Sequence, residues 1–187
     1  DYDRIHSNPR YQSVAARFIL GKSLGGLIAA HVAARYPAMF TGLVGLSGAF
    51  DISRSLPPAP VMLALRAIHG LAPKLRTRRA FDPSQIVSDA AALRDIEGDP
   101  LCCKDRVTVG YVTTIAASAA ALRARVPEIR AALLMLWGDD DKVVSREGHQ
   151  MLVDLGASAD KRLETFPGAR HNLLSEPAHK AAVAARI

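Results

Sequence analysis

The sequence predicts an α/β protein with a mostly parallel sheet, and two observations carry the prediction. Short apolar runs typical of buried strands alternate with segments of helical periodicity, and within each run the residues are continuously apolar. Parallel strands have this composition because helices cover both faces of their sheet. With 187 residues, 49% of them hydrophobic, the chain is long enough for one substantial core and too short for two comfortable domains.

The first elements are predicted to be a strand, a helix and a second strand. We expect a buried strand at 14–21 and a helix that begins near Leu24. The helix should end before Pro37, because proline disfavours helical conformation in the residue that precedes it. The second buried strand is expected at 42–46.

The middle of the chain changes in character and gives no clear strand signal. Prolines at 57–60 interrupt the chain, and helix-like apolar spacing follows at 61–68. We interpret 51–125 as a helical cap inserted into a sheet core that comprises 1–50 and 126–187.

The last third of the chain returns to the strand and helix pattern. A strand is expected at 132–137, followed by a helix at 145–155 that stops at Gly156. A last short strand is expected at 161–166. A terminal helix is expected over 177–187, with a proline in its first turn.

The chain is basic, with a formal net charge of +6. A denser stretch of positive side chains falls at Lys74, Arg76, Arg78 and Arg79. We interpret the charge as a solvated basic face, with attraction to an anionic membrane surface as the alternative. Nucleic-acid binding is not predicted, because only 5% of the residues are aromatic and no recognised nucleic-acid motif accompanies the charge.

The two cysteines, Cys102 and Cys103, are neighbours, and a disulfide between adjacent residues is strained. A reducing compartment is therefore expected. No apolar run approaches the ~18 to 20 residues of a membrane span, and the polar opening at 1–4 does not resemble a signal peptide. We expect a cytoplasmic or peripheral membrane protein, and leave open an organelle-targeting segment upstream.

The turn between the first strand and helix carries the clearest chemical signal. Residues 21–26 have the sequence Gly-Lys-Ser-Leu-Gly-Gly, which contains the GxSxG pattern of a nucleophile elbow. In an elbow the serine lies in a strained turn and its hydroxyl projects from the top of the sheet, while the glycines on either side let the backbone pass closely. Ser23 is the candidate nucleophile.

A serine hydroxyl is a weak nucleophile at neutral pH, so it needs a histidine base and an acid that fixes the tautomer of the imidazole. The acid is expected just past a strand, where three consecutive aspartates follow Gly138; Asp141 is our candidate and Asp139 the reserve. The base is expected in a loop after the last strand, where His171 lies. The order serine, acid, histidine is that of hydrolases with such an elbow.

We interpret the remaining histidines as ordinary surface or packing residues. No spacing of histidine, cysteine, aspartate and glutamate resembles a metal site, and no cofactor is predicted. These remaining histidines are His6, His31, His69, His149 and His179.

Together, these motifs resemble those of serine hydrolases with the α/β-hydrolase fold, and within them the monoacylglycerol lipase and lysophospholipase group. Residues 18–26 match the elbow of that group, and residues 166–177 match its histidine segment closely. Residues 99–104 and 138–143 are more similar to the plant and algal branch, which includes caffeoylshikimate esterase. The resemblance covers nearly the whole chain.

The resemblance implies that Ser23, Asp141 and His171 form a catalytic triad and that the helical insertion shapes an apolar acyl pocket. It also implies an oxyanion hole made by the backbone N–H of Leu24 and a second N–H from a loop after an earlier strand. Lys22 departs from the histidine, glutamate or glutamine that is common beside this serine.

Only 22 residues precede Ser23, and they contain neither the His-Gly motif of that loop nor strands ahead of the elbow strand. We therefore expect a processed, partial or truncated chain that lacks the N-terminal part of the fold. Losing one oxyanion donor costs roughly 10² to 10³ in kcat, so the isolated chain is expected to be a poor catalyst. The elbow strand is expected to form an exposed hydrophobic edge.

The leading functional hypothesis is a serine ester hydrolase that acts on a monoacylglycerol or a lysophospholipid, with peripheral membrane contact. One alternative is a caffeoyl-type aryl esterase, and another is acyl transfer through the same triad. A third is an incomplete, non-catalytic chain that binds a partner through its open sheet edge. The sequence leaves the oligomeric state undetermined.

Overall fold

The computed structural model describes residues 15–77, 82–102 and 106–187. Sequence-based predictions for residue 14, His6, Arg78, Arg79 and Cys103 lie outside the described residues.

The described residues contain a parallel sheet of four strands in the order β1-β2-β3-β4. The last three strands lie within one residue of their predicted bounds, and β1 starts later than predicted and extends to Lys22. An all-parallel sheet confirms the predicted class, and it gathers the carboxyl ends of all strands at one edge. The strands are β1 (Phe18–Lys22), β2 (Gly42–Leu46), β3 (Ala132–Gly138) and β4 (Lys161–Phe166).

The central strand β2 is buried along its whole length, which explains its unbroken apolar sequence. Leu43 packs on one face of the sheet with Met135 of β3. The adjacent Val44 and Leu46 pack on the opposite face with Leu136. Successive side chains thus enter two separate hydrophobic clusters, as the twofold period of a strand requires.

Strand β1 lies at one edge of the sheet among the described residues. Its Phe18 and Leu20 side chains are exposed. The expectation of an exposed hydrophobic edge strand therefore matches the described part of the chain.

Helix α1 (Leu24–Arg35) follows β1 directly. It ends one residue before Tyr36, so the predicted stop ahead of Pro37 is confirmed. Its alanines at 29, 30, 33 and 34 are buried against the sheet, and their small side chains let the helix approach the strands closely.

The described residues between β2 and β3 form several helices. They include α2 (Ala59–His69), α3 (Ala90–Gly98) and α4 (Val109–Arg125). Asp89 and Thr108 begin the last two helices by accepting hydrogen bonds from first-turn amides with their side chains. Helix α4 packs against both α1 and α2, which connects the inserted helices to the sheet.

Helix α5 (Arg146–Leu155) matches its predicted position, with Ser145 as its N-terminal cap. The terminal helix is shorter than predicted: α6 spans Lys180–Ala184. Residues 177–179 instead form a turn, in which the Glu176 carbonyl accepts hydrogen bonds from the amides at 179 and 180. Short 3-10 helices also occur at Ser53–Ser55, Pro83–Gln85, Val126–Glu128 and Leu173–Ser175.

Across the described ranges, no helix is both long enough and apolar enough to span a bilayer.

Candidate active site

The turn between β1 and α1 holds Ser23 in a strained backbone conformation, with φ +51° and ψ −122°. The Ser23 amide donates to the Leu46 carbonyl at 3.0 Å, and the Ser23 carbonyl accepts from the Ala49 amide at 2.9 Å. Both partners lie at the carboxyl end of the neighbouring strand β2 or in the loop that follows it. The carboxyl end of β2 therefore fixes the nucleophile turn from one side.

The glycines of the elbow have different roles. A Cβ on Gly21 would overlap the carbonyl of Gly25, and a Cβ on Gly26 would lie 2.9 Å from the Gly48 Cα. A Cβ on Gly25 would meet no atom within 4 Å. Close backbone approach thus requires a glycine at Gly21, as predicted. The prediction was wrong for Gly25, because the second close approach occurs at Gly26.

Asp141 lies in the loop after β3, and its side chain is fully buried. Its Oδ1 accepts hydrogen bonds from the amides of Val143 and Val144 at 2.7 and 3.0 Å. Its Oδ2 lies 2.8 Å from Nδ1 of His171. Two backbone donors and one imidazole therefore fix the orientation of this carboxylate.

The two neighbouring aspartates have different partners. The Oδ1 of Asp139 accepts a hydrogen bond from the Gly168 amide at 2.5 Å. Asp140 forms ion pairs with Lys142 at 2.5 Å and Arg170 at 3.5 Å, and hydrogen bonding from Lys142 lowers the pKa of its carboxyl. Of the three consecutive aspartates, it is the preferred candidate, Asp141, that lies against the histidine.

His171 is 5% exposed and bridges the other two candidates. Its Nδ1 faces the Asp141 carboxylate, which can only accept, so Nδ1 carries the proton. Its Nε2 lies 2.9 Å from Oγ of Ser23 and is free to accept the hydroxyl proton. The structure therefore brings the three sequence-predicted residues into one hydrogen-bonded chain.

The loop that carries His171 is also attached to the inserted segment between β2 and β3. Arg170 Nη1 donates to the carbonyls of Ser84 and Val87 at 2.6 and 3.0 Å. The amide of Asn172 donates to the Ile86 carbonyl at 2.8 Å. These residues flank the histidine in sequence, yet nothing in the sequence pattern indicated their partners some 85 positions away.

Glu176 makes a third attachment of the same kind. Its buried carboxylate accepts hydrogen bonds from both the amide and the hydroxyl of Ser88. Sequence reasoning matched this glutamate only as part of the histidine segment. A buried carboxylate requires such partners, but their identity depends on the tertiary fold.

An apolar pocket opens beside Ser23. The open space of this pocket, including its mouth, is about 540 Å³. Residues from the elbow, from the loop after β2, from α4 and from the Asp141 loop line the pocket: Ser23, Leu24, Ala49, Ile52, Ser55, Leu56, Tyr111, Val112, Ile115, Val143 and Val144.

The amide of Leu24 lies at the N-terminal end of α1, directly after the serine. Among the described residues it has no hydrogen-bond acceptor, so it is available to an oxyanion. The side chain of Lys22 precedes the serine and is exposed to solvent. Partial desolvation at this turn lowers the pKa of its ammonium group.

The other described histidines lie away from Ser23 and form hydrogen bonds with neighbouring residues. His31 bonds to Ser118, His69 to Thr113, and His179 to the carbonyl of Pro167. His149 differs from these because it is completely buried. Within the described ranges, no group of three or more histidine, cysteine, aspartate or glutamate side chains is arranged to hold a metal ion.

The parallel sheet, the strained serine turn and the Ser23, His171 and Asp141 arrangement define an α/β-hydrolase. The chain belongs to the family described as Serine aminopeptidase, S33, whose model matches residues 2–178. The family membership and the fold that the motifs indicated are therefore confirmed.

The chain is similar in sequence to monoacylglycerol lipases. It is 29% identical over 165 residues to the monoacylglycerol lipase of Mycolicibacterium smegmatis, covering 88% of this chain and 58% of that protein. It is 27% identical over 159 residues to the monoglyceride lipase of Mus musculus, covering 85% of this chain and 52% of that protein. The chain thus spans little more than half the length of these curated relatives.

The fold is similar to that of a monoacylglycerol lipase from Paleococcus ferrophilus, with a TM-score of 0.84 and 23% sequence identity. The match covers 94% of this chain and 68% of that structure. These comparisons confirm the similarity to the monoacylglycerol lipase group, while the closer similarity to the plant and algal branch stays a prediction.

Proposed function

We propose that this chain carries the catalytic site of a serine ester hydrolase that acts on monoacylglycerols. The observation that carries the proposal is the hydrogen-bonded chain from Ser23 Oγ through His171 to Asp141, which lies beside an apolar pocket. The names of the relatives support the same reaction and substrate class.

The proposed mechanism begins with His171, whose unprotonated Nε2 accepts the proton of the Ser23 hydroxyl. The oxygen attacks the ester carbonyl, and the amide of Leu24 donates a hydrogen bond to the developing oxyanion. Asp141 stabilises the imidazolium that forms. His171 then donates its proton to the departing alcohol, and a water activated by the same imidazole hydrolyses the acyl-enzyme.

The pocket supports an acyl chain as the group that is recognised. Apart from Ser23, Ser55 and Tyr111, the side chains that line it are aliphatic, and the Ser55 hydroxyl is already bonded to the Val143 carbonyl at 2.6 Å. An aliphatic pocket gains from burying methylene groups, at about 0.8 kcal/mol each. We therefore rank a fatty acyl ester above a caffeoyl-type aryl ester.

We propose that residues 51–125 act as the cap of this site. Helix α4 contributes Tyr111, Val112 and Ile115 to the pocket. The three attachments from the histidine loop to 84–88 hold the segment close to the catalytic base. The same segment thus provides pocket walls and contacts the loop that carries His171.

We also propose that the cap makes peripheral contact with a lipid surface. Leu63 is 69% exposed, and Leu71 and Leu101 are each 92% exposed. The cations of Arg66 and Lys74 are exposed on the same segment. Exposed leucines beside cations favour an interface that contains anionic lipid.

The proposal is tested by labelling the chain with a fluorophosphonate probe, because labelling requires a competent nucleophile and base but not turnover. We expect covalent labelling at Ser23 that disappears in Ser23→Ala and persists in the matched control Ser158→Ala. Equal labelling of Ser23→Ala, or none in the folded chain, would overturn the proposal and favour a non-catalytic role.

Substrate class is decided by comparing acyl-matched monoacylglycerol, lysophospholipid and caffeoyl esters at equal concentration. The proposal expects the highest kcat/KM for the monoacylglycerol. A higher value for either other ester would reassign the substrate while leaving the mechanism in place. Products formed in the presence of an added alcohol distinguish hydrolysis from acyl transfer.

A further inference from the structure

We infer that His149 is a positioning residue for the nucleophile turn, an inference that rests on the proposed function. His149 lies in α5 and its side chain is fully buried. It does not line the pocket beside Ser23. Its contacts instead join the backbone below Ser23 to the loop that carries Asp141.

The hydrogen bonds of His149 determine its tautomer. Nδ1 lies 3.0 Å from the Ser145 carbonyl, which can only accept, so Nδ1 carries the proton. Nε2 lies 2.9 Å from the Gly48 amide, which can only donate, so Nε2 must be unprotonated. The ring therefore accepts at one end and donates at the other, as only the neutral imidazole can.

The segment held by Nε2 is tightly enclosed and strained. The preceding residue, Ser47, has a φ of +41°. A Cβ on Gly48 would overlap the ring of Phe50, and the Gly48 Cα lies against Gly26 of the nucleophile helix. The Phe50 ring in turn packs edge-on against the His149 imidazole, with the centroids 5.1 Å apart. The His149 bond thus restrains a turn with a strained backbone.

The restrained turn is the one that fixes Ser23. The residue after Gly48 is Ala49, whose amide donates to the Ser23 carbonyl at 2.9 Å. The residue before Ser47 is Leu46, whose carbonyl accepts the Ser23 amide at 3.0 Å. The two backbone bonds that join Ser23 to the end of β2 and the loop after it therefore come from the residues that flank the His149 contact.

The other end of the imidazole reaches the acid loop. Ser145 directly follows Val144, whose amide donates to Asp141. The Ser145 amide and hydroxyl also donate to the carbonyl and carboxylate of Asp51, at 3.1 and 2.6 Å. His149 is therefore bonded to both loops whose relative position sets the distance from Ser23 to the base.

The test uses His149→Gln, His149→Asn and His149→Leu in the full chain. The longer glutamine brings its carboxamide oxygen near the Nε2 position and keeps an acceptor for the Gly48 amide. Asparagine reaches only the Nδ1 position, and leucine offers neither group. We expect His149→Asn and His149→Leu to slow fluorophosphonate labelling of Ser23 on the order of 10²-fold, because small displacements of reacting groups have effects of that size. His149→Gln should retain most of the wild-type rate.

The labelling rates are compared between variants that have the same free energy of unfolding. If His149 only stabilised the fold, the glutamine and asparagine variants would then be labelled at the same rate. We also expect kcat to fall in His149→Asn while KM stays unchanged, because the imidazole does not line the pocket. Labelling of His149→Asn at the wild-type rate would overturn the inference. An equal loss in His149→Gln and His149→Asn would overturn it as well. Where the leucine variant does not fold, the glutamine and asparagine pair decides.

Amide hydrogen exchange separates this inference from the proposed function, because it does not depend on activity. The amides of Gly48 and Ala49 should exchange faster in His149→Asn than in the wild type or His149→Gln. If wild-type Ser23 does not react with the probe, the proposed function fails, and the exchange rates alone decide the inference. Unchanged exchange at both amides would overturn it.

Discussion

Asp141 and His171 are joined by a hydrogen bond of 2.8 Å between Oδ2 and Nδ1, and the other carboxylate oxygen is held by two backbone amides. The carboxylate has no freedom to turn away from the ring. Its acceptor therefore dictates which imidazole nitrogen carries the proton, and leaves Nε2 to accept from Ser23. The geometry of the Asp141 loop thus sets which nitrogen of the proposed base can accept a proton.

The first prediction concerns Asp141→Asn. The asparagine can present an N–H to Nδ1, which stabilises the tautomer with its proton on Nε2, so His171 can no longer accept from Ser23. We expect kcat to fall by about 10⁴-fold with the fold retained. Ester hydrolysis and circular dichroism on the same preparation measure the two quantities.

The matched control for Asp141→Asn is Asp139→Asn, two positions away. The Asp139 carboxylate accepts from the Gly168 amide, and the oxygen of asparagine can accept the same bond. Activity should stay close to that of the wild type. A large loss in Asp139→Asn together with normal activity in Asp141→Asn would reverse the assignment of the acid.

A second prediction concerns the elbow glycines, and unfolding in urea is the measurement. Gly21→Ala would drive its Cβ into the Gly25 backbone, which cannot move without distorting the turn. We expect a loss of about 3 kcal/mol or more in the free energy of unfolding. Gly25→Ala has open space around its Cβ and lies in a helix, so it should increase stability by about 0.5 to 1 kcal/mol. Equal effects at the two positions would contradict the different packing roles of these glycines.

The sequence predicted the features that depend on local pattern. The bounds of β2, β3, β4 and α5 could be predicted because apolar runs and capping residues lie within the elements themselves. Ser23 and His171 could be predicted because each lies in a turn with its own signature. For the acid, the sequence left two of three adjacent aspartates as candidates and favoured Asp141 over Asp139.

The features that the sequence did not predict depend on distant partners. The role of Gly26 requires knowing that Gly48 packs against it. The burial of His149 depends on Phe50 and Trp137, which come from two other parts of the chain. No periodicity within one segment reports such contacts, because they arise only when the parallel strands bring the loops to one edge of the sheet.

A third prediction concerns the attachment of the cap through Glu176→Ala. The change removes the buried carboxylate that accepts two part-buried hydrogen bonds from the amide and hydroxyl of the exposed Ser88. We expect the free energy of unfolding to fall by about 1 to 3 kcal/mol, measured by urea titration. The control Glu97→Ala removes a carboxylate from the exposed surface of α3 and should change stability little. An equally small effect of Glu176→Ala would show that the attachment does not stabilise the fold.

A fourth prediction concerns the acyl pocket. Val112→Trp on α4 should fill space beside Ser23. We expect kcat/KM for a long-chain monoacylglycerol to fall about 10-fold or more relative to a short-chain ester, because the loss of one or two methylene sites has that effect. Thr114→Trp, at an exposed position on the same helix, is the control. Parallel losses for both esters in Val112→Trp would place the acyl chain elsewhere.

The fifth prediction concerns the pH dependence of stability through His149. Burial lowers the pKa of this imidazole from the ordinary value of 6.5 to about 4. In the unfolded chain the ordinary value applies, so between pH 4 and 6.5 the unfolded state binds more protons than the folded state. The free energy of unfolding must then rise with pH across that window. The stability that the fold gains while the His149 imidazole is neutral in both states is fully present above about pH 6.5. It is lost as the pH falls towards 4, by about 3 kcal/mol in total.

Urea unfolding at half-unit pH steps measures this slope in the wild type and in His149→Gln. The charges of Asp141, His171 and Asp51 act on the buried imidazole, and other groups contribute to the wild-type slope, so the informative quantity is the difference between the two profiles. The glutamine variant should lose the His149 part of the slope, and its free energy of unfolding should depend less on pH between 4 and 6.5. The control His179→Gln removes a partly exposed histidine, and the change in slope for His149→Gln should exceed the change for this control. Parallel profiles for the wild type and His149→Gln would contradict this prediction. They would mean that His149 is protonated at the same pH in the folded and unfolded chains. The hydrogen bond from the Gly48 amide to Nε2 does not allow this, because a protonated Nε2 cannot accept.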